Sequence, residues 1–450
     1  MRFAWLFTLF AACLTAAVPV DLSGYREAAD LRVEHSGDIL TAHWTGERNG
    51  ALRLRLNLAD AEKLISELSV NGKPLLRDAA PAYFVYTGKR RGGWDNFFDT
   101  PSTRPREIAE ANSTLAIDRA RVHTGGRRMR LRVEGLSLGP FRGALVFTVF
   151  AGSNLVQQEA VVSTVEPDVA YYYNAWLTRV STLDLNRLHW MDAEGRFRRH
   201  VLTSDVDLDY VPLKVRRRAL IAEGASGSLA VFPPPHQYFF ARDETINYAN
   251  LWYRLYRIHP IAADGEWFSF GIRQTPVSEQ ARWVPLVNAP PGAEQRMSLF
   301  WYAHPGPARE AFDRVSAYTH NDRFPALPGR KTFTSHYHVS MTMEARRHRA
   351  LGIPYAPEFV DVFRQMGVNI AHLMDFHTDG HPRDTGAVRR DELREYYDIS
   401  RRLSGPDLLL IPGEEANAHF EGHWNLLLPR PVEWFMRRGP GEAFEHSGVY

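Results

Sequence analysis

A chain of 450 residues is too long for one ordinary hydrophobic core, so two or three domains are expected. Hydrophobic residues make up 44% and aromatics 12%, which excludes disordered and fibrous classes. The formal charge of +2, with dispersed Arg and Lys and no basic block interleaved with aromatics, argues against a nucleic-acid surface.

At the N-terminus Arg2 precedes an apolar run from Phe3 to Leu14, followed by Thr15-Ala-Ala17. Residues 1–17 therefore read as a signal peptide, because a membrane-spanning helix needs about 20 apolar residues and this run is shorter. An exported protein, periplasmic or extracellular, is expected. Cys13 is the only cysteine, so the mature chain would have neither disulfides nor thiol chemistry. Leu9-Phe-Ala-Ala-Cys13 loosely resembles a lipoprotein cleavage box, which adds lipid anchoring as a second route. No later segment reads as a membrane span.

Residues 18–290 read as strands. Ala51-Leu-Arg-Leu-Arg-Leu-Asn-Leu58 and Met129-Arg-Leu-Arg-Val133 alternate apolar and polar residues, as a strand with one buried face requires. Further β-rich runs cover 143–150, 154–165, 228–232 and 267–272, separated by turn signals such as Asn71-Gly72 and Gly125-Gly126. A large antiparallel β-sandwich is expected. The aromatics Trp94 (beside Asp95), Tyr171-Tyr-Tyr173, Trp176, Trp252 and Tyr253 suit a sugar-binding face, and equally the core of a large sandwich. The stretch 141–165 resembles the large sandwiches that accompany polysaccharide-active enzymes, and no residue is carried over on that likeness.

Residues 291–330 read as a connecting helix, about 307–318, and a linker, Phe324-Pro-Ala-Leu-Pro-Gly329. From 331 to 450 strand-like and helix-like segments alternate: strands at 333–339, 368–376, 407–411 and 423–428, helices at 356–366 and 391–403. Alternating βα units predict a mostly parallel sheet or barrel with its chemistry at the carboxyl ends of the strands.

Potential metal ligands fall at those ends. His336 and His338 share one strand face by the period-two rule, as do Asp375 and His377. Glu414 and Glu415 follow the third strand, His419 sits in the next loop and His423 opens the fourth strand. Mixed imidazoles and carboxylates suit zinc, manganese or iron, and more than four such groups suit two or three divalent ions. Such ions can polarise a phosphoryl group and generate hydroxide.

On these residues the segment 331–443 resembles the PHP (polymerase and histidinol phosphatase) family of metal-dependent phosphoesterases. His336-Tyr-His338 is similar to its opening His-x-His, Met374-Asp-Phe-His377 to its Asp-His motif, Gly413-Glu-Glu415 to its Gly-x-Glu, and His423-Trp-Asn-Leu-Leu-Leu428 to its ligand-bearing strand. The resemblance implies a PHP-like distorted (β/α)7 barrel behind the sandwich. It also implies His336, His338, Asp375, His377, Glu415 and His423 as ligands of up to three ions. Phe376 separates Asp375 from His377, where the family has them adjacent, so either residue alone can be the ligand. The family's later ligands have no counterpart before Tyr450, so a barrel truncated at its C-terminus is expected.

The implied activity is phosphoester hydrolysis by metal-bound hydroxide, with Glu415 bridging ions and Asp375 or a histidine orienting water or protonating the leaving oxygen. Arg383 and Arg389 could hold the phosphate or simply flank a helix. Two rivals stay open. One is an amidohydrolase-type metal hydrolase on the same barrel. The other is a non-catalytic carbohydrate-binding protein with an inert barrel remnant. The expected partners are a small-molecule or glycan-linked substrate and carbohydrate.

Overall fold

The structure is a computed structural model describing residues 17–89, 108–202, 210–235, 239, 250–256, 266–275, 287–337, 341–374, 387–418 and 422–427. The chain forms two compact units, Met1–Tyr318 and Thr319–Tyr450.

In the first unit the expected alternation becomes a sandwich. Along Ala51–Asn57, Leu52, Leu54 and Leu56 are buried while Arg53 and Arg55 turn outward. That strand belongs to an antiparallel meander running from Leu31–Ser36 to the 17-residue strand Lys73–Lys89. The long strand changes partners midway. It pairs with Ile65–Val70 up to Ala79 and with Val169–Ser181 from Ala80 onward, turning at Asp78, whose φ is 51°.

One inner face is built from Arg128–Leu138, Phe141–Phe150, Leu155–Ser163, Gln295–His304 and Gly227–Phe232, joined antiparallel in that order. The other is built from Lys73–Lys89, Val169–Ser181, Trp267–Ile272 and Leu251–Tyr256, also antiparallel. Phe147, Trp301 and Met297 of the first sheet share one continuous core with Tyr171, Tyr173, Phe268 and Phe270 of the second. Phe141 meets Tyr171 edge-on at 5.4 Å, and the Tyr173 hydroxyl donates to the carbonyl of Ser298 at 2.9 Å. Each large side chain so buried contributes about 1.5–3 kcal/mol, which offsets the entropy of ordering the strands.

The sheet continues past position 290: Gln295–His304 pairs with both Leu155–Ser163 and Gly227–Phe232. The helix Ala308–Tyr318 then lays Ala308, Ala311, Phe312 and Val315 against Ile221, Ala230 and Tyr302. Its first free N–H, at Ala308, donates to the Glu223 carboxylate at 2.9 Å, a favourable place for negative charge.

The second unit holds a four-stranded sheet. Phe333–Tyr337, Ile370–Met374 and Leu409–Ala418 run parallel, and Gly422–Leu427 returns antiparallel. Helices Met341–Ala350, Glu358–Met366 and Ala387–Leu403 supply Met341, Phe359, Phe363, Leu393, Tyr396 and Ile399 to a core around Ala371, Leu373 and Leu410. Glu358–Met366 ends as expected on Gly367, at φ 77°, whose N–H bonds back to Arg364 and Phe363. Met341–Ala350 was not expected as a helix.

The expected fold class needs correction. The described residues are predominantly antiparallel β, and they contain no (β/α)7 barrel. The physical reason lies between Ala418 and Gly422. A parallel crossover needs a dozen or more residues, and this connection is far shorter, so the chain closes a hairpin instead.

Candidate functional site

The site begins with an irregularity in one strand. Within Val169–Ser181, Leu177 pairs with Phe270 but Val180 pairs with Phe268, so three steps on one strand face two on the other. One extra residue is therefore looped into the ladder, a β-bulge. It keeps both Leu177 and Val180 in the core. Arg179 accommodates it with a φ of 58°, in the left-handed region that a non-glycine residue enters at a cost of about 1–2 kcal/mol.

Beside the bulge lies a cleft of about 540 Å³. Its apolar wall includes Pro81, Tyr83, Leu136 and Leu145, and its polar rim is Glu62, Ser113, Thr114, Thr178 and Arg179, with Trp267 alongside. Glu62 is presented by the short turn Ala61–Lys63, which Asp60 caps by accepting from the Glu62 N–H at 3.0 Å. Trp267 opens its strand and stacks on Tyr256 with centroids 4.0 Å apart. The Arg254 guanidinium lies 4.8 Å from the Tyr256 ring, so a cation–aromatic row continues along this edge.

The polar groups are only partly committed. The Arg179 guanidinium sits over Trp267 at 5.9 Å, and its Nη1 is 3.7 Å from the Glu62 carboxylate. That distance is too long for a hydrogen bond, and the Glu62 side chain is 82% exposed, so the pair is weak. Arg179 Nε is buried without a hydrogen-bond partner among the described residues. The Ser113 hydroxyl accepts from the Tyr83 N–H at 3.0 Å, and Thr178 accepts from the Ser269 hydroxyl at 2.9 Å. Both acceptor hydroxyls keep a hydrogen to donate. Burial pushes the Tyr83 phenol far above its ordinary pKa, so it stays neutral at any physiological pH.

Of the aromatics singled out from the sequence, Tyr171, Tyr173 and Tyr253 pack in the core, and Trp252 is buried against Trp176 at 5.3 Å and Tyr210 at 4.7 Å. Core packing, the plainer of the two readings, holds for these. Trp94 and Asp95 lie outside the described residues. Arg179, Glu62 and Trp267 were not singled out from the sequence. A signal existed in Leu177-Thr-Arg-Val180: two core residues three apart cannot share a face of a regular strand, so one residue must be extra.

The expected metal ligands fare differently. His338, Asp375 and His377 lie outside the described residues, as does Arg383. His336 is exposed at φ 66°, inside a second bulge, where Thr334 pairs with Ala371 and Tyr337 with Leu373. Of the expected His336 and His338 pair, only His336 is therefore placed. Glu415 pairs in register with Asn425, and His423 with Asn417 two positions along. Nearby, the Ser335 hydroxyl meets Nδ1 of the buried His372 at 3.1 Å and accepts from Asn425 at 3.3 Å. Among the described residues no three His, Cys, Asp or Glu side chains gather as a metal site, and of the six expected ligands only His336 has a described side chain.

No family model and no curated protein matches the chain. The PHP resemblance, with the phosphoesterase and metal-binding reading attached to it, is thereby corrected. Short motif likenesses of two to four residues carried it, and neither a family match nor the expected barrel stands behind them. Solved structures similar to this chain include an α-mannosidase from Enterococcus faecalis, at 12% identity and TM-score 0.28, covering 62% of this chain and 30% of that one. A galactose mutarotase related enzyme from Lactobacillus acidophilus is 8% identical at TM-score 0.30, covering 59% and 98%. A putative aldose 1-epimerase from Escherichia coli is 10% identical at TM-score 0.30, covering 61% and 98%. The chain spans less than a third of the mannosidase. Likeness at this level carries no inference about activity, and the functional reading rests on the cleft. No helix among the described residues is long and apolar enough to cross a membrane.

Proposed function

We propose that the sandwich unit binds carbohydrate in the cleft between Trp267 and Arg179. The observation that carries this reading is the composition of the cleft. An indole and an apolar wall stand against a rim of hydroxyls, a guanidinium and a carboxylate that still have hydrogen-bonding capacity. A pyranose has matching surfaces: apolar C–H faces that lie on aromatic and aliphatic groups, and hydroxyls that need donors and acceptors around the edge. The leader-like segment 1–17 supports a place outside the cytoplasm, where glycans are met.

Binding is favoured over glycoside cleavage. Most glycosidases flank the scissile bond with two carboxyl groups, and Glu62 is the only carboxylate among the described residues lining the cleft.

The test is calorimetric titration of the full chain against a panel of oligosaccharides. Trp267→Ala should weaken binding about tenfold, the worth of an aromatic contact plus its buried area. Unchanged affinity in that variant would remove the cleft from the binding site.

A further inference from the structure

We propose that the sugar this cleft takes is anionic and that Arg179 reads its charge, an inference that rests on the carbohydrate reading above. A guanidinium offers five N–H donors in a planar fork and no acceptor. Among the described residues the only carboxylate paired with it is Glu62, at 3.7 Å and largely in solvent. Its Nε donor is buried and unfilled. The side chain as a whole is 28% exposed, and it is set in a strained bulge at the rim of a cleft.

Arg196 and Arg198, by contrast, donate through Nε to the Asp192 carboxylate at 2.8 and 2.7 Å. At Arg179 the only carboxylate paired with the side chain among the described residues is beyond hydrogen-bonding distance, and the residue lines the cleft. A carboxylate or a sulfate ester fits the two Nη groups at the end of the guanidinium in two parallel hydrogen bonds. Ring hydroxyls of the same sugar meet Thr178, Ser113 and Thr114, which line the same space. A neutral sugar would meet the guanidinium with hydroxyls alone and form no charge-assisted pair, and discrimination follows from that difference.

The experiment titrates the full chain with three tetrasaccharides of one backbone: galacturonate, its carboxyl-reduced galactose counterpart, and O-sulfated galactose. The wild type should bind one anionic form at least about tenfold more tightly than the neutral one, as a charged hydrogen-bonded pair implies. Added salt should weaken the anionic complex and leave the neutral one unchanged. Arg179→Gln should bring the ratio of anionic to neutral affinity down to about one, and that ratio, not the neutral affinity itself, is the readout. Arg179→Lys, which keeps the charge and loses the fork, should fall between. Whichever anion wins identifies carboxylate or sulfate as the charge. Equal binding of neutral and anionic forms by the wild type overturns the proposal and leaves the carbohydrate reading standing. A preference that survives Arg179→Gln overturns it too. Failure to bind any of the three overturns both.

Discussion

Each unit has a strand in which a bulge leaves a non-glycine residue at positive φ, and these two breaks are put to different use. In the sandwich, one extra residue between Leu177 and Val180 leaves Arg179 at φ 58°. In the smaller unit, one extra residue between Thr334 and Tyr337 leaves His336 at φ 66°. The first bulge is antiparallel and sits over a continuous core, with Leu177 and Val180 locked in place on either side. The second is parallel, the rarer kind, and precedes the carboxyl end of its strand by a single residue. The lesson is that strain can aim a side chain only where the surroundings are rigid enough to hold it. Arg179 has that frame together with a cleft, whereas His336 stands exposed.

The largest test attacks the frame. Trp301 is fully buried between the sheets and packs on Phe147 at 5.7 Å. Trp301→Ala should cost about 3–5 kcal/mol, as deletion of a large core aromatic does. Hydrogen exchange read by segment should show the loss across Val169–Ser181 and Gln295–His304. If protection around Arg179 stayed at the wild-type level, the core would not be what holds the bulge.

Much of the frame was legible beforehand, and the bulges were not. Alternation in 51–58 and 129–133 reports burial directly, because a half-buried strand has no other way to place its leucines. The helix closed by Gly367 was equally plain, since the left-handed cap nearly demands glycine. A bulge leaves hardly any trace in composition, so nothing in the residues around His336 announces its left-handed backbone. The barrel was over-read for a related reason. Alternating strand and helix segments set an expectation that the short link from Ala418 to Gly422 contradicts. The cleft stayed hidden because its parts come from positions 62, 113, 179 and 267, brought together only by the sandwich.

A middle-sized effect sharpens the contrast between a committed ion pair and an open one. Asp192 is the committed case: burial pushes its carboxyl up, but the Arg196 N–H and the Arg196 and Arg198 guanidinium groups outweigh burial and hold it at about 2, below the ordinary 3.8. A lowered folded-state pKa stabilises above the unfolded value and is lost as pH falls through the folded one. Stability should therefore decline from about pH 4 to pH 2, by about 1 kcal/mol once the exposure of both arginines is discounted. Asp192→Asn should flatten that part of the urea-unfolding profile. An unchanged slope would mean that the pair contributes nothing.

The smallest effect bears most directly on the comparison. Glycine adopts positive φ without steric cost, so Arg179→Gly and His336→Gly each relieve the strain of a left-handed residue. Glycine also loses more entropy on folding, so the net gain should be small, about 0.5 kcal/mol in each unit. The two variants should then part ways. Arg179→Gly removes the guanidinium from the cleft, so the sandwich should become slightly more stable while losing its preference for an anionic sugar. His336→Gly should stabilise its own unit and leave sugar binding alone. Stability is read by segment-resolved hydrogen exchange and binding by titration, so neither result depends on the other. If Arg179→Gly gained stability and kept its preference, the left-handed arginine would be an accident of register. A gain in stability with loss of discrimination is what strain held for recognition requires.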